Sequence, residues 1–147
     1  MVTATATRVN EHTADEVNER IQAATNERVQ RLAARGRQAL DRRIAELDRE
    51  WDIERVLEAN AASATLIGSV LGLTVDRRWM LLPAAVGGFL LQHAIQGWCP
   101  PLVWFRRLGV RTATEIDHER YALKALRGDF EHVGAHEPIA ALSAARR

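Results

Sequence analysis

The pattern of apolar and polar positions differs between the ends of the chain and its middle. Residues 1–12 are small, polar and without periodicity, which predicts a disordered tail. In residues 13–58 no proline occurs and apolar side chains recur every three or four positions, which predicts one long amphipathic helix. Its apolar stripe consists of Val17, Ile21, Val29, Leu32, Leu40, Ile44, Leu47 and Trp51.

Charges are segregated along this predicted helix. Residues 28–43 carry six arginines and one acid, whereas residues 46–58 carry six acids and two arginines. An arginine-rich amphipathic helix can lie on an anionic membrane surface. The alternative, which we favour, is a solvated helix whose stripe packs on the chain itself or on a partner, because Thr25 and Gly36 weaken the stripe.

Two uncharged runs occupy the middle of the chain. Residues 60–75 carry no charge, Asp76, Arg77 and Arg78 form a polar turn, and residues 79–99 are again uncharged except for His93. About 20 helical residues span a hydrocarbon core, so the second run is long enough and the first is marginal. Residues 59–109 therefore predict a two-helix transmembrane hairpin followed by an interfacial helix. A soluble bundle in which the runs bury one another is the alternative.

Aromatic and small residues favour the membrane interpretation. Trp79, Trp98 and Trp104 are placed to form interfacial belts at the two ends of the second run. Small residues let helices approach closely in lipid. We expect helix packing at Gly68 and Gly72 on the first run and at Ala84, Gly87 and Gly88 on the second.

Polar residues in the second run are expected to face protein. Gln92, His93 and Gln96 predict interhelical hydrogen bonds, with a substrate or ion pathway as the alternative. The flanks of the hairpin carry more arginine than its turn, so both termini are expected to face the cytoplasm.

The remaining sequence predicts two further helices. PPLVWFRRLGV is expected to be a short interfacial helix that ends near Gly109, and residues 110–133 predict an amphipathic C-terminal helix that Gly128 terminates. In this helix the polar residues Glu115, Asp117, His118, Glu119 and Arg120 are interpreted as a solvated face. Residues 134–147 predict a second tail. The fold class is all-α.

Charge and cysteine content narrow the function. Twenty basic and nineteen acidic residues leave a formal net charge of +1, which gives no field for binding nucleic acid. A single cysteine forms no internal disulfide, and it matches no metal-ligand signature. No common catalytic or cofactor motif occurs. We therefore expect no enzyme activity, no metal and no cofactor.

The segment QGWCP, residues 96–100, at the end of the second uncharged run, resembles the YgaP-like transmembrane domain family, as do Trp79, Gly87 and Gly88. The similarity covers about residues 54–109. It implies a bacterial inner-membrane protein with a two-helix hairpin and a homo-oligomeric assembly. Some members carry a rhodanese sulfurtransferase domain ahead of the hairpin. This sequence shows no such domain, so that activity does not carry over.

Three functional hypotheses remain. The first is a structural or interaction role as an oligomeric anchor or scaffold in the lipid bilayer. The second is a thiol relay in sulfur metabolism, in which Cys99 acts beside a separate sulfurtransferase. The third is a soluble helical bundle. Cys99 is the one candidate for a reactive residue, and its alternative role is that of a small apolar residue at a tight turn.

Overall fold

The computed structural model describes residues 7–134 and 137–146, whose regular structure is entirely helical. The predicted all-α class is confirmed. The described residues form eight α-helices and a 3₁₀ turn at Arg77–Met80. The helices are α1 (Arg8–Glu11), α2 (Asp15–Ala33), α3 (Arg37–Leu47), α4 (Ile53–Thr74), α5 (Leu81–Gln96), α6 (Pro100–Arg107), α7 (Ala113–Arg127) and α8 (Pro138–Arg146).

The chain folds as two compact units. The first, the hairpin unit, comprises Met1–Glu19 and Trp51–Thr112, and the second, the terminal unit, comprises Arg20–Glu50 and Ala113–Arg147. Each unit has its own apolar core. In the hairpin unit Val9, Ile53, Leu57, Cys99 and Leu102 are buried together. In the terminal unit the core consists of Leu40, Ile44, Leu47, Ile116 and Leu123.

Aspartate side chains set the starts of the hairpin segments. The Asp52 carboxylate accepts the backbone N–H of Arg55 at 2.8 Å, so α4 begins at Ile53. Asp76 accepts the backbone N–H of Arg78 at 2.8 Å and caps the 3₁₀ turn that leads into α5. The polar turn predicted between the two uncharged runs therefore forms.

Helix α4 is the candidate membrane span. It has 22 residues and a mean hydropathy of 1.4 over its most apolar window, of which 17% is buried in the structure. Among the described residues it is the one helix that is long and apolar enough to cross a membrane. Helix α5 has 16 residues, a length of about 24 Å. The first helix of the hairpin is therefore longer than the second, the reverse of what the two uncharged runs predict. The reason is that the Asp52 cap starts α4 early enough to include Glu54 and Glu58.

The single helix predicted for residues 13–58 is divided in the structure. Helix α2 ends at Ala33, and Gly36, with φ of +81°, precedes α3. A left-handed backbone is favourable for glycine and interrupts a right-handed helix. The break lets Leu40, Ile44 and Leu47 of α3 pack on α7, with Val29 and Leu32 of α2 alongside. The apolar stripe is therefore largely buried within the chain, as in the favoured alternative.

Parts of both predicted tails are helical. Residues 8–11 form α1, and Val9 is buried in the core of the hairpin unit. Residues 138–146 form α8, in which Ala144 is buried. Pro138 begins α8 because proline suits the first turn of a helix, so it starts a helix here rather than preventing one. Residues 1–6 of the predicted N-terminal tail lie outside the described residues.

Candidate functional site

The segment Gly97–Pro100 makes the connection between α5 and α6. Gly97 caps α5 with φ of +74°, and its backbone N–H donates to the His93 carbonyl oxygen at 2.7 Å. A Cβ on Gly97 would lie 2.7 Å from the Arg8 Cβ, so α1 approaches this position closely. Cys99 is extended and Pro100 occupies the first turn of α6. The GWCP segment therefore encodes a tight helix-to-helix turn.

Cys99 is buried beside an apolar cavity. The cavity has a volume of about 290 Å³ and lies between α4, α5 and the start of α6. Its lining residues include Leu57, Asn60, Ala61, Ala64, Val86, Phe89, Leu90, Cys99, Pro101 and Phe105. Burial raises the pKa of the Cys99 thiol, the amide of Leu102 opposes that rise, and the Glu54 carboxylate adds to it. The neutral thiol is therefore favoured, which makes Cys99 a poor nucleophile at neutral pH.

Glu54 joins three helices through a cluster of polar side chains. Its Oε2 lies 2.8 Å from Nε2 of the buried His93, and its Oε1 accepts a hydrogen bond from Arg8 at 3.0 Å. Arg8 also donates to the carbonyl oxygen of Ala94 at 3.2 Å. The cluster ties the first turn of α4 to the last turns of α5 and to α1. His93 on α5 is therefore paired with a side chain of another helix, Glu54 of α4.

Arg106 is a buried cation that connects α6 with the start of α2. Its guanidinium donates to Asn18 Oδ1 at 2.9 Å, to Thr13 Oγ1 at 3.2 Å and to the Val110 carbonyl oxygen at 3.0 Å. The sequence shows Arg106 only as one of the positive charges that follow the hairpin. Its position one residue before Arg107 in an amphipathic helix gives no signal of burial, so this contact was not predictable.

The small residues predicted to pack helices are not equivalent in the structure. Gly68 and Gly72 are buried, and added Cβ atoms would lie 2.6 Å from Pro83 Cδ and 2.6 Å from Met80 Sδ, respectively. Ala84, Gly87 and Gly88 are exposed. Added Cβ atoms at Gly87 and Gly88 would meet nothing within 4 Å. The second set therefore does not face α4, because α5 turns Leu82 and Pro83 towards the glycines instead.

The other predicted residues of the second run lie at varied depths. Gln92 is half-buried and Gln96 is exposed, and neither side chain hydrogen-bonds to another described residue. Trp79 and Trp104 are exposed, while Trp98 is half-buried. Their interfacial role stays a prediction.

In the terminal unit, Glu119 is fully buried, contrary to the solvated face predicted for this part of α7. Its carboxylate accepts hydrogen bonds from Arg28 at 2.8 Å and from Arg43 Nε at 2.8 Å. Burial works against the charged form of Arg43, but hydrogen bonds to Glu119 and Glu46 outweigh it and raise the Arg43 pKa above its usual value. The position lies one turn from Ile116 and Leu123 on the buried face of α7.

The hairpin unit offers an apolar cavity and a charged cluster, each formed by side chains from several helices. Among the described residues, no group of three or more His, Cys, Asp or Glu side chains is placed to hold a metal ion.

Comparison with known proteins finds one family that the hairpin resembles. Residues 52–115 match the family model described as "Inner membrane protein YgaP-like, transmembrane domain". The matched segment is somewhat under half of the chain and contains α4, α5 and α6. No curated protein and no solved structure matches the chain significantly. The resemblance drawn from QGWCP is confirmed: residues 52–115 are similar to the YgaP-like transmembrane domain, and the protein is a membrane protein.

Proposed function

We propose that the protein is an oligomeric anchor or scaffold of the bacterial inner membrane, with both termini in the cytoplasm. The observation that supports this most is the apolar surface of the hairpin unit. Large apolar side chains on α4 and α5 are exposed, among them Leu66, Ile67, Val70, Leu73, Leu81, Leu91 and Ile95.

Many exposed apolar side chains on two neighbouring helices are unfavourable in water and favourable in lipid. Polar side chains at the other end of the hairpin pair with one another, since the Glu54 carboxylate accepts from Arg8 and lies 2.8 Å from His93 Nε2, while Arg8 Nε and His93 Nδ1 are buried without a hydrogen-bond partner. This arrangement suits a hairpin whose α4 start and α5 end lie at one membrane surface.

The distribution of arginine supports the cytoplasmic location of the termini. Arg77 and Arg78 in the hairpin turn are partly offset by Asp76, whereas Arg49 and Arg55 precede the hairpin and Arg106 and Arg107 follow it. Protease added to intact spheroplasts should therefore leave tags at both termini uncleaved. Cleavage of either tag would contradict the orientation.

Membrane integration is tested by fractionation. The protein should remain in the membrane pellet after an alkaline wash and should dissolve only in detergent. Recovery in the soluble fraction without detergent would contradict the proposal and favour a soluble bundle.

The oligomeric role is supported by the outward face of α5. Ala84, Gly88, Leu91 and Ile95 are spaced by four, three and four residues, so they share one helix face, and all are exposed. Small residues beside large apolar ones allow a second copy to approach closely in lipid.

Enlarging this face should weaken the oligomer. In detergent, Ala84→Leu/Gly88→Leu should shift the mass measured by light scattering towards the monomer. Ala62→Leu, at an exposed alanine of α4, is the matched control and should keep the wild-type mass. An unchanged mass in the double variant would show that the face is not an oligomer contact.

A thiol relay through Cys99 is the second candidate. One observation favours it: the Cys99 residue lines an apolar cavity large enough for a small neutral sulfur species. The raised pKa of Cys99 opposes it. If the relay operates, incubation with a persulfide donor should label the wild type and not Cys99→Ser. Absence of labelling in the wild type would remove this candidate.

A further inference from the structure

The terminal unit contains an arginine-lined groove that the anchor role does not use. Helix α2 and the residues after it contribute Arg28, Arg31 and Arg35, and α3 contributes Arg42 and Arg43. Leu32, Gln38, Ala39 and Glu46 complete the lining of this open groove, whose volume is about 640 Å³. Five arginines and one glutamate line the groove, and the glutamate, Glu46, pairs with Arg43 at 3.0 Å.

Glu119 fixes two of these arginines from below. Its fully buried carboxylate bonds Arg28 from α2 and Arg43 from α3, at 2.8 Å in each case. A carboxylate held between two guanidinium groups orders both. Arg43 also pairs with Glu46 at 3.0 Å and with Glu50 at 3.4 Å, so the base of the groove is ordered by carboxylates of this unit and the charge for a ligand comes from the other arginines.

Arg35 and Arg42 provide positive charge that is not neutralised within the chain. Both side chains are exposed, and neither forms an ion pair with another described residue. Arg31 pairs only with Glu27, at 3.1 Å, and both of those side chains are more than half exposed. Exposed pairs of this kind contribute little, so Arg31 is free to exchange its partner.

Guanidinium groups recognise planar or tetrahedral oxyanions through pairs of N–H donors, and phosphate is a preferred partner. The apolar residues of α2 and α3 are committed to the core with α7, so these helices cannot insert an apolar face into a bilayer. Residues 48–52 alone connect α3 with the span α4, a link of about 20 Å at most. A phosphate-bearing surface is therefore always within reach of the terminal unit.

We infer that the groove lined by Arg28, Arg31, Arg35, Arg42 and Arg43 binds the phosphate headgroups of anionic phospholipids in the membrane that holds the hairpin. This inference rests on the proposed membrane topology, in which the terminal unit is on the cytoplasmic side. The cytoplasmic leaflet carries a negative surface potential that attracts basic segments close to the membrane.

The test uses the full chain in a neutral detergent. Native mass spectrometry measures the dissociation constants of dihexanoyl phosphatidylglycerol and dihexanoyl phosphatidylcholine. The wild type should prefer phosphatidylglycerol, and added salt should weaken that preference. Arg35→Gln/Arg42→Gln should weaken phosphatidylglycerol binding about 30-fold, since each arginine near an anionic surface contributes about 1 kcal/mol.

Arg37→Gln/Arg49→Gln is the matched control. It removes two exposed arginines of the same unit that do not line the groove, so it should change the constant less than threefold. An equal loss in both double variants, or equal binding of the two lipids by the wild type, would overturn the inference. The melting curve of Arg35→Gln/Arg42→Gln should match the wild type, because both substituted side chains are exposed.

Two further ligands, hexaglutamate and inorganic phosphate, distinguish lipid binding from the binding of other anions. Hexaglutamate binding that is tighter than phosphatidylglycerol binding would identify an acidic protein partner and overturn the lipid assignment, as would tighter binding of inorganic phosphate. Failure of the membrane topology is distinguishable, since the wild type would then leave the membrane pellet. Failure of the groove alone would leave the protein in the pellet with no lipid preference.

Discussion

At the scale of single residues, Glu119 shows how burial changes the role of a charged side chain. Its sequence neighbours Asp117, His118 and Arg120 suggest a polar face, yet its carboxylate has no exposed surface and binds Arg28 and Arg43. A buried carboxylate is stable only when its charge is paired and its oxygens accept hydrogen bonds. Glu119 satisfies this requirement through arginines from two other helices.

Glu119→Gln should lower the free energy of unfolding of the terminal unit by about 3 kcal/mol, because the variant leaves Arg28 and Arg43 without their buried partner. Glu27→Gln, which removes an exposed pair with Arg31, should lower it by less than about 0.5 kcal/mol. Denaturant unfolding followed by hydrogen exchange in α7 measures both changes. Equal effects would show that burial does not strengthen the Glu119 contacts.

At the scale of elements, the hairpin depends on two glycines of α4 and on the order of residues at the start of α5. Gly68 and Gly72 let Leu82, Pro83 and Met80 approach the α4 backbone. Gly68 and Gly72, which form a GxxxG pattern, therefore allow two consecutive helices of the same chain to pack closely. The sequence does not show which residues contact these two glycines, because the 3₁₀ turn at Arg77–Met80 sets the rotation of α5.

Gly68→Ala should loosen the hairpin, because its Cβ would lie 2.6 Å from Pro83 Cδ and a proline ring cannot turn away. We expect a loss of about 1–3 kcal/mol in stability, as for other overpacked sites. Gly87→Ala is the control, since a Cβ there meets nothing within 4 Å. Thermal unfolding in detergent should rank Gly87→Ala at or above the wild type and Gly68→Ala below it. The reverse order would contradict the packing.

At the scale of the whole molecule, each unit is stabilised by ion pairs between its own residues. In the hairpin unit Arg8 and His93 meet Glu54. In the terminal unit Arg127 pairs with Asp41 and with Asp129. The hydrogen bond from Arg127 lowers the pKa of Asp129, burial opposes this, and the charges of Arg127, Lys124 and Arg37 lower it further. The stability of the terminal unit should therefore depend on pH.

The sign of this dependence follows from the lowered pKa. The carboxylate binds protons less readily in the folded state than in the unfolded state, so its contribution is complete above the ordinary value of 3.8 and is lost as the pH falls through the folded pKa. Asp129→Asn should lower the melting temperature of the terminal unit at pH 7. The difference in melting temperature between the variant and the wild type should shrink as the pH falls below 3.8. A difference that grows towards acid pH would contradict the pairing.

The sequence by itself determined the all-α class, the hairpin with its polar turn at Asp76, Arg77 and Arg78, and the helix ends near Gly109 and at Gly128. These features depend on local periodicity, capping residues and uncharged runs, which need no partner from elsewhere in the chain. Only the tertiary structure decided the break at Gly36, the burial of Glu119 and Arg106, and the packing of α1 on the hairpin through Arg8. Each of these depends on contacts between residues distant in the sequence, where an apolar or charged side chain gives no local sign of which helix will cover it.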